Sequence, residues 1–330
     1  MIREHTALSW CWQHRGEPEQ LIKDSTPIAR LQANEVLIEN QMIGLNPVDW
    51  KLIEWGHDKW QTGQVPGVDA MGVVRAVGSA ATRIRIGARV CYHTNLQKNG
   101  SFSQYTVVSA KALMAVPNNL SDEAAAAFPC PGLTAWQALK KLPQLAGKNI
   151  LVSGAGGSVG QYLTQLLLQN GAKVYATASP AHHEQLRQWG VVSVFDYKDK
   201  NLNQTIGNAL HGAPLYAAFD MVSRENAHTL VPLLGYYGHL VCVQDRLEQA
   251  PQPAFTTCIS FHEIALGAIH QYGSDEQWAE LMGAGEQMLH DIACGRLKQV
   301  SMDIGDFNSL PQKLSELKMG KTGKKYLIQV

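Results

Sequence analysis

A glycine-rich turn that follows a short apolar segment constrains the fold of this chain most. Residues Asn149–Ser153 are largely apolar without alternation, which predicts a strand buried on both faces. The segment leads into Gly154, Gly156, Gly157 and Gly160, and an apolar helix is predicted at 161–169. Such a turn lets backbone N–H groups approach a pyrophosphate at the positive end of the helix. The pattern therefore favours a nucleotide-binding unit over an ordinary structural turn.

The segments around this turn predict the rest of the architecture. Further strands are expected at 173–178, 191–196, 215–222 and 238–244, with helical segments such as 182–189 between them. This alternation of strands and helices indicates a doubly wound parallel α/β sheet. The first third contains short strands separated by Pro and Gly, at 36–40, 67–77, 89–93 and 100–108. The chain thus predicts a nucleotide-binding domain inserted between two parts of a β-rich domain.

Ser121 is a good N-cap for a helix that Pro129 and Pro131 are expected to interrupt, with helix resuming at 133–142. A helix is also predicted at 278–292 and a final strand at 325–330.

Charge and cysteine content limit the binding partners of the chain and the cellular compartment that suits it. The 330 residues include 28 basic and 28 acidic side chains, which argues against nucleic-acid and anionic-membrane binding. No apolar run approaches the roughly 18–20 residues that span a bilayer, and residues 1–10 do not resemble a signal peptide. The six cysteines lie at least sixteen residues apart, which suits a reducing cytosol and a cytoplasmic protein.

The residues after the second predicted strand bear on the choice of nucleotide. NAD-binding proteins place an acidic residue there to hold the ribose 2′-hydroxyl. No Asp or Glu occurs between Gly160 and His183, whereas Ser179 and the two histidines 182 and 183 follow the strand. A missing carboxylate removes repulsion of a 2′-phosphate, so NADPH is the expected cofactor, with NADH possible. A solvated helix start is the alternative interpretation of the histidines.

The ordered motifs resemble the medium-chain dehydrogenase/reductase superfamily, and within it the zinc-free quinone oxidoreductase-like branch. The motifs that carry the resemblance are NPVDWK at 46–51, PGVDAMG at 66–72, GARV at 87–90, the glycine turn, and GK at 323–324. The resemblance implies a GroES-like catalytic domain, 1–118 plus 265–330, joined to a Rossmann domain, 119–264, with a possible homodimer.

The resemblance also predicts that no zinc is bound. The ligand positions of the zinc-dependent members fall at Asn46, Val68 and Cys130, and valine cannot ligate a metal. Without a Lewis acid, hydride transfer requires an acceptor that is already electron-poor.

By the same resemblance, cofactor contacts are expected along most of the nucleotide domain. These residues are Asn46, Gly154, Gly156, Gly157, Ser158, Val159, Gly160, Thr177, Ser179, His183, Tyr197, Val222, Ser223, Gln244, Leu266, Gly267 and Ala268.

Asn46 and Asp49 are the candidate catalytic residues. The Asn46 amide could orient a substrate carbonyl or the nicotinamide ribose, and Asp49 could act as a general acid or only fix its loop. Candidates for the substrate pocket are Trp55, Trp60 and Cys130. The alternative for the two tryptophans is ordinary burial in a loop, and the alternative for Cys130 is an inert buried thiol.

The leading functional hypothesis is a zinc-independent NADPH-dependent reductase of quinones or α,β-unsaturated carbonyls, with water supplying the proton. The alternative hypothesis is a nucleotide-binding scaffold or redox-sensing protein with little catalysis.

Overall fold

The computed structural model describes residues 6–320 and 323–330, and it divides into two compact units. The first unit contains the residues up to Leu133 and those from Gly267 onward, and the second is Thr134–Leu266. The prediction that residues 1–10 do not resemble a signal peptide falls partly on Met1–His5, which lie outside the described residues.

The strands and helices are numbered in chain order. The strands are β1 (Thr6–Cys11), β2 (Ile22–Pro27), β3 (Glu35–Gly44), β4 (Asp69–Val77), β5 (Arg89–His93), β6 (Tyr105–Ser109), β7 (Leu113–Ala115), β8 (Asn149–Ser153), β9 (Lys173–Ala178), β10 (Ser193–Asp196), β11 (Leu215–Asp220), β12 (Leu234–Cys242), β13 (Ser260–Glu263), β14 (Met302–Asp306) and β15 (Lys325–Gln329). The helices are α1 (Pro47–Trp55), α2 (Asp122–Ala127), α3 (Pro129–Leu139), α4 (Ser158–Gln169), α5 (His183–Gln188), α6 (Leu202–Ala209), α7 (Arg224–Leu230), α8 (Ile269–Tyr272), α9 (Asp275–Ala293) and α10 (Leu310–Lys318).

The second unit contains the parallel sheet that the sequence predicts. Its order is β10-β9-β8-β11-β12-β13, and every neighbouring pair is parallel. Strand order reverses between β8 and β11, and ligands of doubly wound sheets bind at such a point, beyond the carboxyl ends of the strands. The sixth strand, β13, was not predicted because it is short, polar and largely exposed at the sheet edge.

The first unit is built on a seven-stranded sheet of order β14-β15-β3-β4-β5-β7, with β6 paired to β3. The strand β15 pairs with β3 in antiparallel register, so the last strand of the chain lies in the same sheet as its third. The alternating strands bury an apolar cluster that includes Ile38, Val74, Tyr92, Phe102 and Tyr326. A hairpin of β1 and β2, which the sequence did not predict, forms a separate sheet.

Two predicted boundaries differ from the structure near the end of the first unit. The predicted interruption lies at Phe128, directly before Pro129, but helix resumes at Pro129 and not at 133, and it ends at Leu139 and not at 142. A proline in the first helical turn removes no intrahelical hydrogen bond, because the N–H groups there have no partner in the helix. The second compact unit begins at Thr134 and not at 119, because the four alanines of α2 are buried and the helix packs on β3 and β4.

Across the described ranges, no helix is both long and apolar enough to cross a membrane.

Candidate functional site

The glycine turn of the second unit has the geometry of a phosphate-binding loop. Gly154 has φ +84°, a left-handed conformation that favours glycine, and it directly follows β8. A Cβ on Gly160 would lie 2.4 Å from the carbonyl oxygen of Gly154, so only glycine allows the helix to pack this closely on the turn. The helix α4 starts at Ser158, three residues before the predicted start, with Gly157 as its N-cap. The turn thus directs the positive end of α4 toward the space beyond β8.

Thr177 supports this turn from the neighbouring strand. Its hydroxyl accepts a hydrogen bond from the Gly154 backbone N–H at 3.2 Å and lies 3.2 Å from the Ser153 hydroxyl. Its carbonyl oxygen accepts from the Ala155 N–H at 2.9 Å. The Thr177 side chain is buried, so these contacts hold the turn in place from β9.

The two histidines after β9 are held by protein contacts. The imidazole of His182 packs on Gly156, where an added Cβ would lie 2.5 Å from the ring. Burial, followed by the neighbouring His183, lowers the pKa of His182, so its neutral form is favoured. His183 Nε2–H donates to the Ala178 carbonyl oxygen at 3.1 Å. The expected attraction between a protonated His182 and a 2′-phosphate is therefore weakened, whereas Ser179 remains half-buried and available.

The other predicted cofactor residues of this unit follow the carboxyl ends of neighbouring parallel strands. Tyr197 follows β10 and is 53% exposed, and Val222 follows β11 and is 49% exposed. Ser223 caps α7 by accepting from the Asn226 N–H at 3.2 Å. Gln244 is half-buried beyond β12. The parallel sheet brings these residues to the edge that also carries Gly154 and Val159, because parallel strands end at a common edge.

Asp220, the last residue of β11, is a functional candidate that the sequence analysis missed. Its carboxylate accepts from the Ser223 N–H at 3.2 Å and from the Asn226 side-chain amide, and Asn226 also donates to the Ser153 hydroxyl at 2.9 Å. Burial raises the pKa of Asp220 to about 6, and these hydrogen bonds oppose the increase. Asp220 thus links the ends of β8 and β11 at the point where strand order reverses.

The first unit contains a buried polar network centred on Asp69, the first residue of β4. Its carboxylate accepts from Asn46 Nδ2 at 2.8 Å, from the Cys130 backbone N–H at 2.9 Å and from His93 Nδ1 at 2.9 Å. The side chain of Asp69 is completely buried, and that of His93 is 7% exposed. A buried carboxylate is stable only when such donors replace its hydration.

Lys325, the first residue of β15, supplies the balancing positive charge. Its ammonium donates to Asn46 Oδ1 and lies 3.8 Å from Asp69 Oδ2. Asn46 Nδ2 also donates to the Gly44 carbonyl oxygen at 3.2 Å. Both N–H groups of the Asn46 amide are therefore already used within the protein, which does not favour the hypothesis that this amide orients a substrate carbonyl.

Asp49 lies in the first turn of α1 and is 1% exposed. One carboxyl oxygen accepts from the Asn46 N–H at 2.7 Å, and the other accepts from the Val68 N–H at 3.0 Å. Burial raises the pKa of Asp49 to about 8, against the effect of these hydrogen bonds. Of its two predicted roles, these contacts favour fixing the loop, because both oxygens face backbone amides.

The two predicted pocket tryptophans have different environments. Trp60 is buried, donates from Nε1 to the Leu96 carbonyl oxygen at 2.7 Å and packs edge-on against Trp12. Trp55 is 56% exposed and packs edge-on against Trp50. The contacts of Trp60 are those of loop burial, the alternative given above.

The segment predicted to hold the nicotinamide amide forms a short 3-10 helix, Leu266–Ala268. A Cβ on Gly267 would lie 4.0 Å from His93 Nε2 and 3.3 Å from the Leu96 side chain. The backbone at Gly267 is therefore next to the outer edge of the His93 ring.

The comparisons with known proteins agree with this geometry. Residues 32–118 match the alcohol dehydrogenase GroES-like domain. The trans-enoyl reductase tazE of Aspergillus terreus is 33% identical over 61% of this chain and 72% of that protein. The quinone oxidoreductase of Mus musculus is 27% identical over 95% of both chains. A quinone oxidoreductase structure from Pseudomonas syringae pv. Tomato DC3000 shares the fold with a TM-score of 0.86 over 98% of this chain and 100% of the other, at 21% identity.

The chain belongs to the medium-chain dehydrogenase/reductase superfamily. It is a quinone oxidoreductase-like member, and it is an NAD(P)H-dependent oxidoreductase with a GroES-like and a Rossmann domain. The family resemblance and the nicotinamide cofactor predicted from the sequence are confirmed at this level.

Some superfamily members bind zinc, and the donor atoms of this site decide whether it fits a metal. Among the residues that the structure describes, Asp69, His93 and Cys130 place one potential ligand atom each within 4.8 Å of one another. The sequence missed this group, because only Cys130 coincides with a family ligand position. The Asp69 carboxylate, however, already has three N–H donors and a nearby ammonium, that of Lys325. A carboxylate saturated in this way, beside a buried cation, does not fit a divalent metal.

Proposed function

We propose that this protein is a zinc-independent, NADPH-preferring reductase of electron-poor acceptors, namely quinones or α,β-unsaturated carbonyl compounds. The observation that carries the proposal is the Lys325–Asp69 pair, which provides a protein cation where a metal-dependent member would need carboxylate or thiolate donors. Relatives named trans-enoyl reductase and quinone oxidoreductase support the same acceptor classes. A homodimer and a cytoplasmic location stay predictions.

Electrostatics supports the zinc-independent part of the proposal. A divalent cation bound to Asp69 would lie only a few ångströms from the Lys325 ammonium, and the two charges would repel by several kcal/mol even at an effective dielectric constant of about 20. A reaction without a Lewis acid is suited to acceptors that are already polarised, because hydride can add to them without activation by a metal.

The nucleotide turn supports the cofactor part. The backbone N–H groups of Ser158 and Val159 would hold the pyrophosphate at the start of α4, and Ser179 would face the adenosine ribose. No acidic residue lies between Gly160 and Ser179 to repel a 2′-phosphate. When bound, the reduced nicotinamide supplies the hydride. The lowered pKa of His182 limits its electrostatic contribution, so the preference for NADPH rests on Ser179 and on the missing acid.

The buried polar residues of the first unit would form a rigid boundary of the acceptor site. Asn46, Asp49 and Lys325 form the rigid part of this arrangement, because each is buried and hydrogen-bonded. The protein would thereby contribute orientation and a site of low polarity.

A titration with NADPH and with NADH, followed by addition of phenanthrenequinone or of a simple enone such as 3-nonen-2-one, tests the proposal. We expect NADPH to bind at least about tenfold more tightly than NADH and to be oxidised when either acceptor is added. Tight NADPH binding without oxidation by any acceptor would support the nucleotide-binding scaffold instead. Equal affinity for both nucleotides would contradict only the preference for NADPH, and not the reductase activity.

A further inference from the structure

We propose that His93 is the acid that protonates the reduced carbonyl acceptor, with Asp69 as its positioning residue. The inference rests on the proposed function, because it concerns the product of hydride transfer to an enone. His93 was not a candidate in the sequence analysis, where it only ends a predicted strand. Its role follows from three features of the structure, namely its bond to Asp69, the position of its outer nitrogen, and the contacts that already engage the neighbouring polar groups.

The bond to Asp69 fixes the orientation and the tautomer of the imidazole. Nδ1 lies 2.9 Å from Asp69 Oδ1, and a carboxylate can only accept there, so Nδ1 carries a hydrogen. Proton exchange is then confined to Nε2. The arrangement has the form of a carboxylate–histidine pair in which the carboxylate orients the ring.

The outer nitrogen faces the segment predicted to lie beside the nicotinamide. Nε2 is 4.0 Å from the position of a Cβ on Gly267, and no hydrogen-bond partner for Nε2 occurs within residues 6–320 and 323–330. The side chain retains 7% of its surface exposed. Because Gly267 has no side chain, none is placed beside Nε2 at this position. A carbonyl oxygen placed against this segment would take its proton from Nε2.

The neighbouring polar groups are already used for other contacts. Both N–H groups of Asn46 donate to Asp69 and Gly44, and both oxygens of Asp49 accept from backbone amides. Lys325 donates to Asn46. The neighbouring His270 donates from Nε2 to the His93 carbonyl oxygen at 3.1 Å, and burial lowers the pKa of His270 to about 4, so it is a poor proton donor at neutral pH. The titratable groups near His93 include Asp69 on β4, Cys130 on α3 and His270 on α8. Asp49, Cys91 and Lys325 act on Asp69, and Lys98 and Lys111 act on His270.

The proposed step balances in atoms and charge. Bound NADPH would supply a hydride and leave as NADP⁺, and the hydride would form the new C–H bond at the β-carbon of the enone. The π electrons of the C=C bond move to the carbonyl oxygen, which becomes an enolate oxygen. The Nε2–H bond of protonated His93 breaks, and its proton forms the O–H bond of the enol. The enol then converts to the ketone, and solvent returns a proton to Nε2.

A His93→Asn variant separates this role from a structural one. The Asn side-chain amide can still donate to Asp69 from the position of Nδ1, but it has no group at the position of Nε2. We expect the kcat for 3-nonen-2-one to fall about 100-fold, with an unchanged dissociation constant for NADPH. Turnover of phenanthrenequinone should fall less than about threefold, since water protonates a hydroquinone dianion readily. His57→Asn, a half-buried histidine of the same unit, is the matched control and should leave both rates unchanged.

The outcomes distinguish this inference from the proposed function. If the wild-type protein oxidises NADPH with neither acceptor, the proposed function fails. If the wild type reduces both but His93→Asn lowers both rates equally or neither, only the assignment of His93 fails. A wild type that reduces the quinone but no enone also overturns the assignment. Zinc bound through His93 in the purified protein would likewise overturn the assignment.

The solvent isotope effect on the wild-type protein tests the same role without relying on a variant that folds. In D2O we expect enone turnover to slow at least about twofold, while turnover of the quinone stays unchanged. Equal solvent isotope effects for the two acceptors would overturn the role of His93.

Discussion

Lys325 Nζ lies 3.8 Å from Asp69 Oδ2, and both side chains are almost completely buried. The two residues come from the last strand and the fourth strand of one sheet, and Asn46 bridges them by accepting from Lys325 and donating to Asp69. Such a pair is costly to break, because the remaining charge would be buried without a partner. The protein therefore depends on Lys325 to keep a carboxylate beside His93.

Lys325→Met should destabilise the first unit by about 3–5 kcal/mol, as expected for breaking a buried ion pair. Urea denaturation would measure the change. Lys59→Met, at an exposed position of the same unit, is the control and should change the free energy of unfolding by less than about 0.5 kcal/mol. The double variant Lys325→Met, Asp69→Asn should recover part of the loss, since it leaves no uncompensated charge. Equal effects of the two lysine substitutions would show that the ion pair is not important for stability.

The architecture could be predicted from local signals in the sequence, whereas the polar network could not. The glycine turn, the apolar strand before it and the N-cap Ser121 act over a few residues, and each led to an element that the structure contains. Asp69, His93 and Lys325 come from three strands that meet only through sheet pairing. Sequence reasoning identified Asn46 and Cys130 by motif, but it had no signal for the lysine that balances the charge or for the histidine that the carboxylate orients.

The raised pKa of Asp220 predicts a pH-dependent stability. The folded state binds a proton up to about pH 6, whereas the unfolded chain loses it near 3.8. The protonated carboxyl therefore contributes roughly 3 kcal/mol to the free energy of unfolding. This contribution is fully present below about pH 4 and is lost as the pH rises to about 6. Asp220→Asn should remove this part of the dependence in denaturation curves between pH 4 and 7, and Glu184→Gln, at an exposed acid of α5 in the same unit, should not. An unchanged slope in Asp220→Asn would contradict the assignment.

Gly160→Ala should impair nucleotide binding through the backbone. The new Cβ would lie 2.4 Å from the Gly154 carbonyl oxygen, so α4 has to move away from the turn. We expect NADPH affinity to fall at least about tenfold, measured by fluorescence titration. Gly207→Ala is the control in the same unit, because no heavy atom lies within 4 Å of its Cβ. It should leave binding unchanged and stabilise α6 by about 0.5–1 kcal/mol. Normal affinity in Gly160→Ala would mean that the turn does not hold the pyrophosphate.

Ser179→Asp should reverse the nucleotide preference. It introduces at the end of β9 the carboxylate that the sequence lacks, so it repels a 2′-phosphate and can accept from a ribose 2′-hydroxyl. We expect the dissociation constant for NADPH to increase at least about tenfold and that for NADH to change less than about threefold. Ser179→Ala separates the lost hydroxyl from the added charge and should weaken NADPH binding only slightly. An unaltered ratio in Ser179→Asp would place the 2′-phosphate elsewhere.

Steady-state oxidation of NADPH by phenanthrenequinone, before and after exhaustive dialysis against a zinc chelator, tests the central claim most directly. The Lys325–Asp69 pair predicts the same kcat in both samples and less than about 0.1 zinc per chain by metal analysis. A kcat that is lost on dialysis and restored by added zinc would contradict the account, because it would require a metal beside the buried ammonium of Lys325.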